Sequence, residues 1–209
     1  MKKKIIAISA LSAFIISLSV ISYSLGVQED LSSKVLRLHI LANSDSDEDQ
    51  NLKLCVRDRL LKEGHKLFEN CKTKEETMKV LNENKEFLEA AAKDEIEKRG
   101  YDYSVSLRTG KYDFPMKNYG DIAFPSGEYD AVRVKIGAGE GQNWWCVMFP
   151  PLCFVDASVG NKSAAETFSG MLTDDEIALI TAADGIDVRF KVVDMIESSY
   201  KTIKTAFAK

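Results

Sequence analysis

Residues 35–41 read Val-Leu-Arg-Leu-His-Ile-Leu, a density of branched apolar side chains that suits a strand. Ala42-Asn43-Ser44-Asp45-Ser46 then breaks the run and opens a helix. Ser46 stands at the N-cap, with Asp47, Glu48 and Asp49 in the first turn, where the helix dipole favours negative charge. Leu52, Cys55, Val56, Leu60 and Leu67 continue at helical spacing. Thr73-Lys74-Glu75-Glu76 is a capping box, and Met78, Leu81, Leu88, Ala91, Ala92 and Ile96 carry a second helix as far as Gly100. The two helices are expected to form a hairpin.

After Gly100 the period shortens to two. Tyr101, Tyr103, Val105 and Leu107 alternate, and further strands are expected at residues 111–118, 129–136 and 143–149, separated by glycine and proline turns as in an antiparallel meander. Thr173 caps a helix that begins Asp174-Asp175-Glu176 and continues through Ile177, Leu179 and Ile180. Val188, Phe190 and Val192 alternate again, and a last helix is expected over residues 194–207. The pattern predicts an α+β fold, an antiparallel sheet packed by helices, forming a single domain over residues 28–209.

Residues 1–27 stand apart. Lys2, Lys3 and Lys4 are followed by an uncharged stretch to Val27, the composition of a secretory signal peptide or an N-terminal anchor. Ser22-Tyr23-Ser24 offers small residues at the spacing for cleavage after Ser24. An uncleaved anchor would expose the same side, because the lysines hold the N-terminus in the cytoplasm. Either way the remainder is expected to work outside the membrane, touching it only through this segment. Without the three lysines, 28 − 3 = 25 basic residues face 32 acidic ones, a formal charge near −7 for the exported part. Such a charge disfavours nucleic acid as a partner.

The segment from Gly137 to Asp156 holds both tryptophans, Trp144 and Trp145, two of the four cysteines and two of the four prolines. Pro150-Pro151 cannot continue a ladder, so the strand ends there. Cys146 and Cys153 flank the prolines and form the preferred disulfide pair of an exported chain. Cys55, inside a helical pattern, reads as a small buried hydrophobe. In a strand, Trp144 and Trp145 face opposite sides, one toward the core and the other toward a helix or a partner.

Catalytic and metal chemistry find little support. Asp45, Asp47 and Asp49 fit the first ligand positions of a calcium loop, but Gln50 replaces its glycine and Val56 its bidentate glutamate, so capping explains the acids better. Gly137-Ala138-Gly139-Glu140-Gly141 leads into a strand and lacks the third glycine of a dinucleotide loop. His39 and His65, the two histidines, lie on apolar and amphipathic segments without a nucleophile pattern. Glu140 and Asp156 read as solvated carboxylates in turns, and Cys146 and Cys153 are spaced too widely for a zinc knuckle. No cofactor, metal or catalytic group is expected.

Three blocks carry a family resemblance. Residues 37–46, Arg-Leu-His-Ile-Leu-Ala-Asn-Ser-Asp-Ser, continue into Asp49-Gln50-Asn51-Leu52-Lys53 and Val56-Arg57-Asp58. Residues 129–134 read Tyr-Asp-Ala-Val-Arg-Val, and residues 141–153 read Gly-Gln-Asn-Trp-Trp-Cys-Val-Met-Phe-Pro-Pro-Leu-Cys. Together they resemble the stage II sporulation protein R family of endospore-forming bacteria. The resemblance implies a signal and not an enzyme. Such a signal is made in the forespore and exported into the space between the two sporulation membranes. There it triggers the mother cell's membrane aspartic protease, stage II sporulation protein GA, which processes pro-sigma-E. Asn43, Asp45, Gln142, Asn143, Trp144 and Trp145 are the candidate partner-binding residues, because polar turns at a strand end and adjoining large aromatics suit a docking surface. The other reading of these polar residues is that they cap the helix and shape a turn. The rival functional classes are an envelope hydrolase and a peptidoglycan-binding module.

Overall fold

Strand β1, Leu36–Leu41, is buried at every position. A strand covered along its whole length belongs in the middle of a sheet with both edges paired. The computed structural model describes residues 25–120, 122–154 and 170–181, with positions 11, 15, 17, 19, 22, 23 and 168. Two units make up the chain: Ser32–Phe114 with Gly127–Leu172, and Met1–Leu31 with Pro115–Ser126 and Thr173–Lys209.

In the larger unit β1 is followed by helices α1 (Asp47–Phe68), α2 (Lys74–Glu83) and α3 (Lys85–Lys98). Strand β2 is Val105–Phe114; β3 (Lys117–Tyr119) and β4 (Ile122–Phe124) belong to the smaller unit; β5 (Gly127–Ile136) and β6 (Asn143–Phe149) complete the order. The four-stranded sheet runs β2-β5-β1-β6. β1 is parallel to β5 and antiparallel to β6, and β2 is antiparallel to β5. The sheet is therefore mixed, and not the antiparallel meander that strand spacing suggests. The consecutive strands β5 and β6 do not pair, because β1, supplied from far earlier in the chain, takes the place between them. Their six-residue connection, 137–142, instead crosses the end of β1, where Gly141 N donates to Ala42 O (3.1 Å) and Glu140 N to Asn43 O (3.1 Å).

One sheet face carries Leu36, Leu38 and Ile40 of β1 with Val132 and Val134 of β5. It packs against Leu52, Val56 and Leu60 of α1 and Leu88, Ala92 and Ile96 of α3. Ser46 caps α1 by accepting from Asp49 N (3.2 Å), and Thr73 caps α2 by accepting from Glu76 N (3.1 Å). The second helix is broken where the sequence pattern runs on. Asn84 ends α2, its backbone N–H shared between Val80 O and Leu81 O and its side chain donating to Val80 O (2.8 Å). A short amide that satisfies the local backbone in this way competes with helix continuation. α3 stops as expected, with Gly100 at φ 84° and Tyr101 N returning to Ile96 O.

β2 also departs from expectation. It starts at Val105, not Tyr101, and passes straight through Gly110, which pairs with Ala131. A Cβ at Gly110 would stand 3.5 Å from the Tyr112 hydroxyl, an ordinary van der Waals contact. Gly110 is thus an interior strand position and not a turn.

The smaller unit contains the antiparallel pair β3–β4 and helix α4, Asp174–Thr181. Thr173 Oγ1 accepts from Glu176 N (3.3 Å), the cap expected there, while Glu176 Oε2 accepts from Thr173 N (2.6 Å), which makes it a reciprocal capping box. Met116 and Leu179 pack on Ala123. The expected strand near residues 188–192 and the last helix over residues 194–207 lie outside the described residues, as does most of the N-terminal segment. Among the described residues no helix is long and apolar enough to cross a membrane.

Candidate functional site

The two polar turns singled out in the sequence meet at one end of the sheet. Asn43 Nδ2 donates to Asp49 Oδ2 (2.8 Å), the Ser44 hydroxyl donates to the same oxygen (2.5 Å), and Asn43 Oδ1 accepts from Ala138 N (2.9 Å). Asp45 Oδ1 accepts from Gln142 N (2.6 Å). The buried Lys53 donates to Gln142 O (2.9 Å) and to Gln50 Oε1 (2.6 Å), while Gln50 Nε2 returns to Ser44 O (2.8 Å). Two glycines permit this closeness: a Cβ on Gly137, at φ 55°, would collide with the Asn43 amide, and one on Gly141 would strike Ser44 O.

The electrostatics follow from burial. Burial alone would raise the Asp49 carboxyl, but donors from Ser44, Asn43 and Tyr103 outweigh it and hold the group below the usual aspartate range. Lys53 is lowered chiefly by desolvation, with Asp45 opposing and Arg57 reinforcing the shift. Asp45 and Asp49 each hold a loop in place through one carboxylate oxygen. The bonds involving Gln142 use its backbone. The side chains of Asp45, Gln142 and Asn143 form an exposed rim above this scaffold.

The adjoining aromatics divide as strand geometry requires. Trp144 packs on the helix-side core with the Arg57 guanidinium 5.2 Å from its ring centroid. Trp145 lies on the opposite face, stacked on His39 at 3.9 Å between centroids and 13° between planes, with Phe114 edge-on at 4.7 Å. Both tryptophans are half-buried. Arg37 is fully buried on that second face beneath Phe114 and Tyr129, at 4.4 and 5.0 Å from their centroids. Cys146 and Cys153 form a disulfide with Cα atoms 5.9 Å apart, closing the turn that contains the cis Phe149-Pro150 bond and the 3₁₀ turn Leu152–Phe154. Cys55 and Cys71 are free thiols.

Sequence reasoning brought together Asn43, Asp45, Gln142 and Asn143, but missed Lys53 and Arg57, which bind this region from α1, and His39, which supports Trp145. The spacing Gln50, Lys53, Arg57 on one helix face was the available signal. Among the described residues no cluster of histidine, cysteine, aspartate and glutamate is arranged to hold a metal ion.

A family model described as stage II sporulation protein R matches residues 32–159. Stage II sporulation protein R of Bacillus subtilis (strain 168) is 37% identical over 186 residues, covering 81% of this chain and 83% of that protein. No solved structure matches at a significant level. The matched span contains β1, α1, the loop at 137–142 and the disulfide-closed turn, the parts that build the network just described. By this extent of similarity the chain belongs to the stage II sporulation protein R family.

Proposed function

We propose that this chain is an exported signal of endospore formation that binds and activates the membrane aspartic protease stage II sporulation protein GA, which then processes pro-sigma-E. Membership of the family across residues 32–159 carries the reading. The rim of Asp45, Gln142 and Asn143 is its physical complement: exposed polar side chains on a hydrogen-bonded base, next in the chain to the half-buried Trp144. A signal of this kind works by binding the receptor's active state better than its inactive one, so a pre-organised surface serves it better than a mobile loop.

The test is co-expression of the exported chain with the protease and its sigma precursor. Wild type is expected to cause cleavage. Gln142→Arg with Asn143→Arg, which leaves the backbone bonds of Gln142 in place, is expected to reduce cleavage about tenfold, equivalent to ~1.4 kcal/mol of lost docking, with an unchanged melting temperature. No cleavage by exported wild type would overturn the function, whereas full cleavage by the variant would move the docking surface elsewhere.

A further inference from the structure

On the sheet face opposite α1 and α3, the register sets Arg108 directly across from Arg133, and Ser106 directly across from Lys135 one pair further on. Like charges placed opposite each other in an antiparallel pair are destabilising. A counter-charge would relieve them, yet this face has none along its strands. β1 contributes Arg37, His39 and Leu41; β5 contributes Tyr129, Ala131, Arg133 and Lys135; β2 contributes Ser106, Arg108, Gly110, Tyr112 and Phe114; and β6 contributes Asn143, Trp145 and Val147. None of these is an aspartate or glutamate. In a chain with a net charge of −4, the strands of this face supply four cations, Arg37, Arg108, Arg133 and Lys135, and no carboxylate, an unexpected concentration.

The same residues enclose space. Ser106, Arg108, Tyr112, Arg133, Lys135 and Gly139 line a cavity of about 330 Å³. Two of the cations are held in place. Arg133 lies over the Tyr112 ring at 5.2 Å from its centroid, and its Nε is buried without a hydrogen-bond partner. The Lys135 stem packs against Gly139, where a Cβ would come within 2.7 Å of its Cγ and Cε. A buried guanidinium donor left unsatisfied is costly, and a fork of such donors fits an oxyanion.

We propose that this cavity binds a phosphomonoester-type oxyanion, with Arg133 and Arg108 as the paired forks, Lys135 as a third charge, and the hydroxyls of Tyr112 and Ser106 as neutral donors. Three converging cations match a group carrying close to two negative charges and three free oxygens better than a carboxylate with one charge and two oxygens. The cavity shares none of its lining residues with the rim of Asp45, Gln142 and Asn143, and the proposal does not rest on the proposed function.

Calorimetric titration of the full-length protein at low ionic strength, with inorganic phosphate as probe and acetate as comparison, tests the proposal. Saturable one-to-one phosphate binding is expected, weakened at least about tenfold by Arg108→Gln and by Arg133→Gln and left unchanged by Lys111→Gln, a cation outside the cavity. Arg108 is exposed, so its variant keeps the test decisive should Arg133→Gln fail to fold. Sedimentation with phosphatidic acid vesicles separates the two sources of such a group. Vesicle binding lost in Arg108→Gln assigns a lipid headgroup, and phosphate binding without vesicle binding assigns a soluble ester. Absence of both, equal affinity for acetate, or equal loss in Lys111→Gln would each overturn the site.

Discussion

His39 shows how a single side chain takes its properties from strand register. It pairs in register with Trp145 on one side and Arg133 on the other, and its buried ring is stacked on Trp145. Desolvation holds its pKa below the usual histidine range; the Asn143 side chain opposes this, and the Arg133 charge adds to it. Neither ring nitrogen makes a hydrogen bond of good geometry. Because the folded protein resists protonation there, the unfolded chain binds the extra proton. The stabilising effect is therefore complete above the unfolded pKa of about 6.5 and declines as pH falls below it toward the lowered folded value. Replacing His39 by Phe keeps a ring against Trp145 and is expected to flatten the fall of unfolding free energy between about pH 7 and pH 5. One such proton contributes a slope of up to about 1.4 kcal/mol per pH unit. Denaturant titrations of both proteins across this range decide it, and equal slopes would show that His39 does not titrate differently on folding. In the sequence His39 read only as a residue of an apolar segment without a nucleophile pattern, and its stacking partner was invisible because it depends on which strand lies beside β1.

Elements whose ends are marked by local chemistry were legible: the caps at Ser46, Thr73 and Thr173, the stop at Gly100 and the strand end at Pro150 all come from side chains acting within a few residues. Boundaries set by packing were not. Gly110 looked like a turn and is paired with Ala131 inside a strand, and Asn84 breaks a helix whose apolar period runs straight through it. The turn after β6 combines both kinds of information, since prolines end the strand and two flanking cysteines close the loop. A closed loop of this length restricts the unfolded chain by about 2.5 kcal/mol on the chain-entropy account. Cys146→Ser with Cys153→Ser is expected to lower stability by up to that amount. Alkylation of the non-reduced wild type, read by mass spectrometry, should label Cys55 and Cys71 and leave the other pair protected. Four labelled thiols would exclude the disulfide in the isolated protein.

At the scale of the whole molecule, the sequence conveyed the α+β composition and the family, and withheld the order of strands. No local signal states that β1 must lie between β5 and β6; it follows from the summed burial of six consecutive residues and from the loop at 137–142 that locks over the end of β1. The meeting of the two polar turns was legible only as a shared location, and their hydrogen bonds turned most of them from free recognition groups into scaffold. That scaffold lies wholly beyond residue 24, so removing residues 1–24 is expected to leave a protein with a cooperative thermal transition. On the proposed function the same truncation fails to signal, because it remains in the compartment of synthesis, on the wrong side of the membrane from the receptor surface it must reach. The thiols report the compartment independently: the truncated protein, kept in a reducing cytoplasm, should show four reactive cysteines, and the exported chain two. Processing of the sigma precursor at wild-type level by a truncated chain with four reactive thiols would overturn export as a requirement. Loss of processing together with loss of the cooperative transition would instead assign residues 1–24 to the fold.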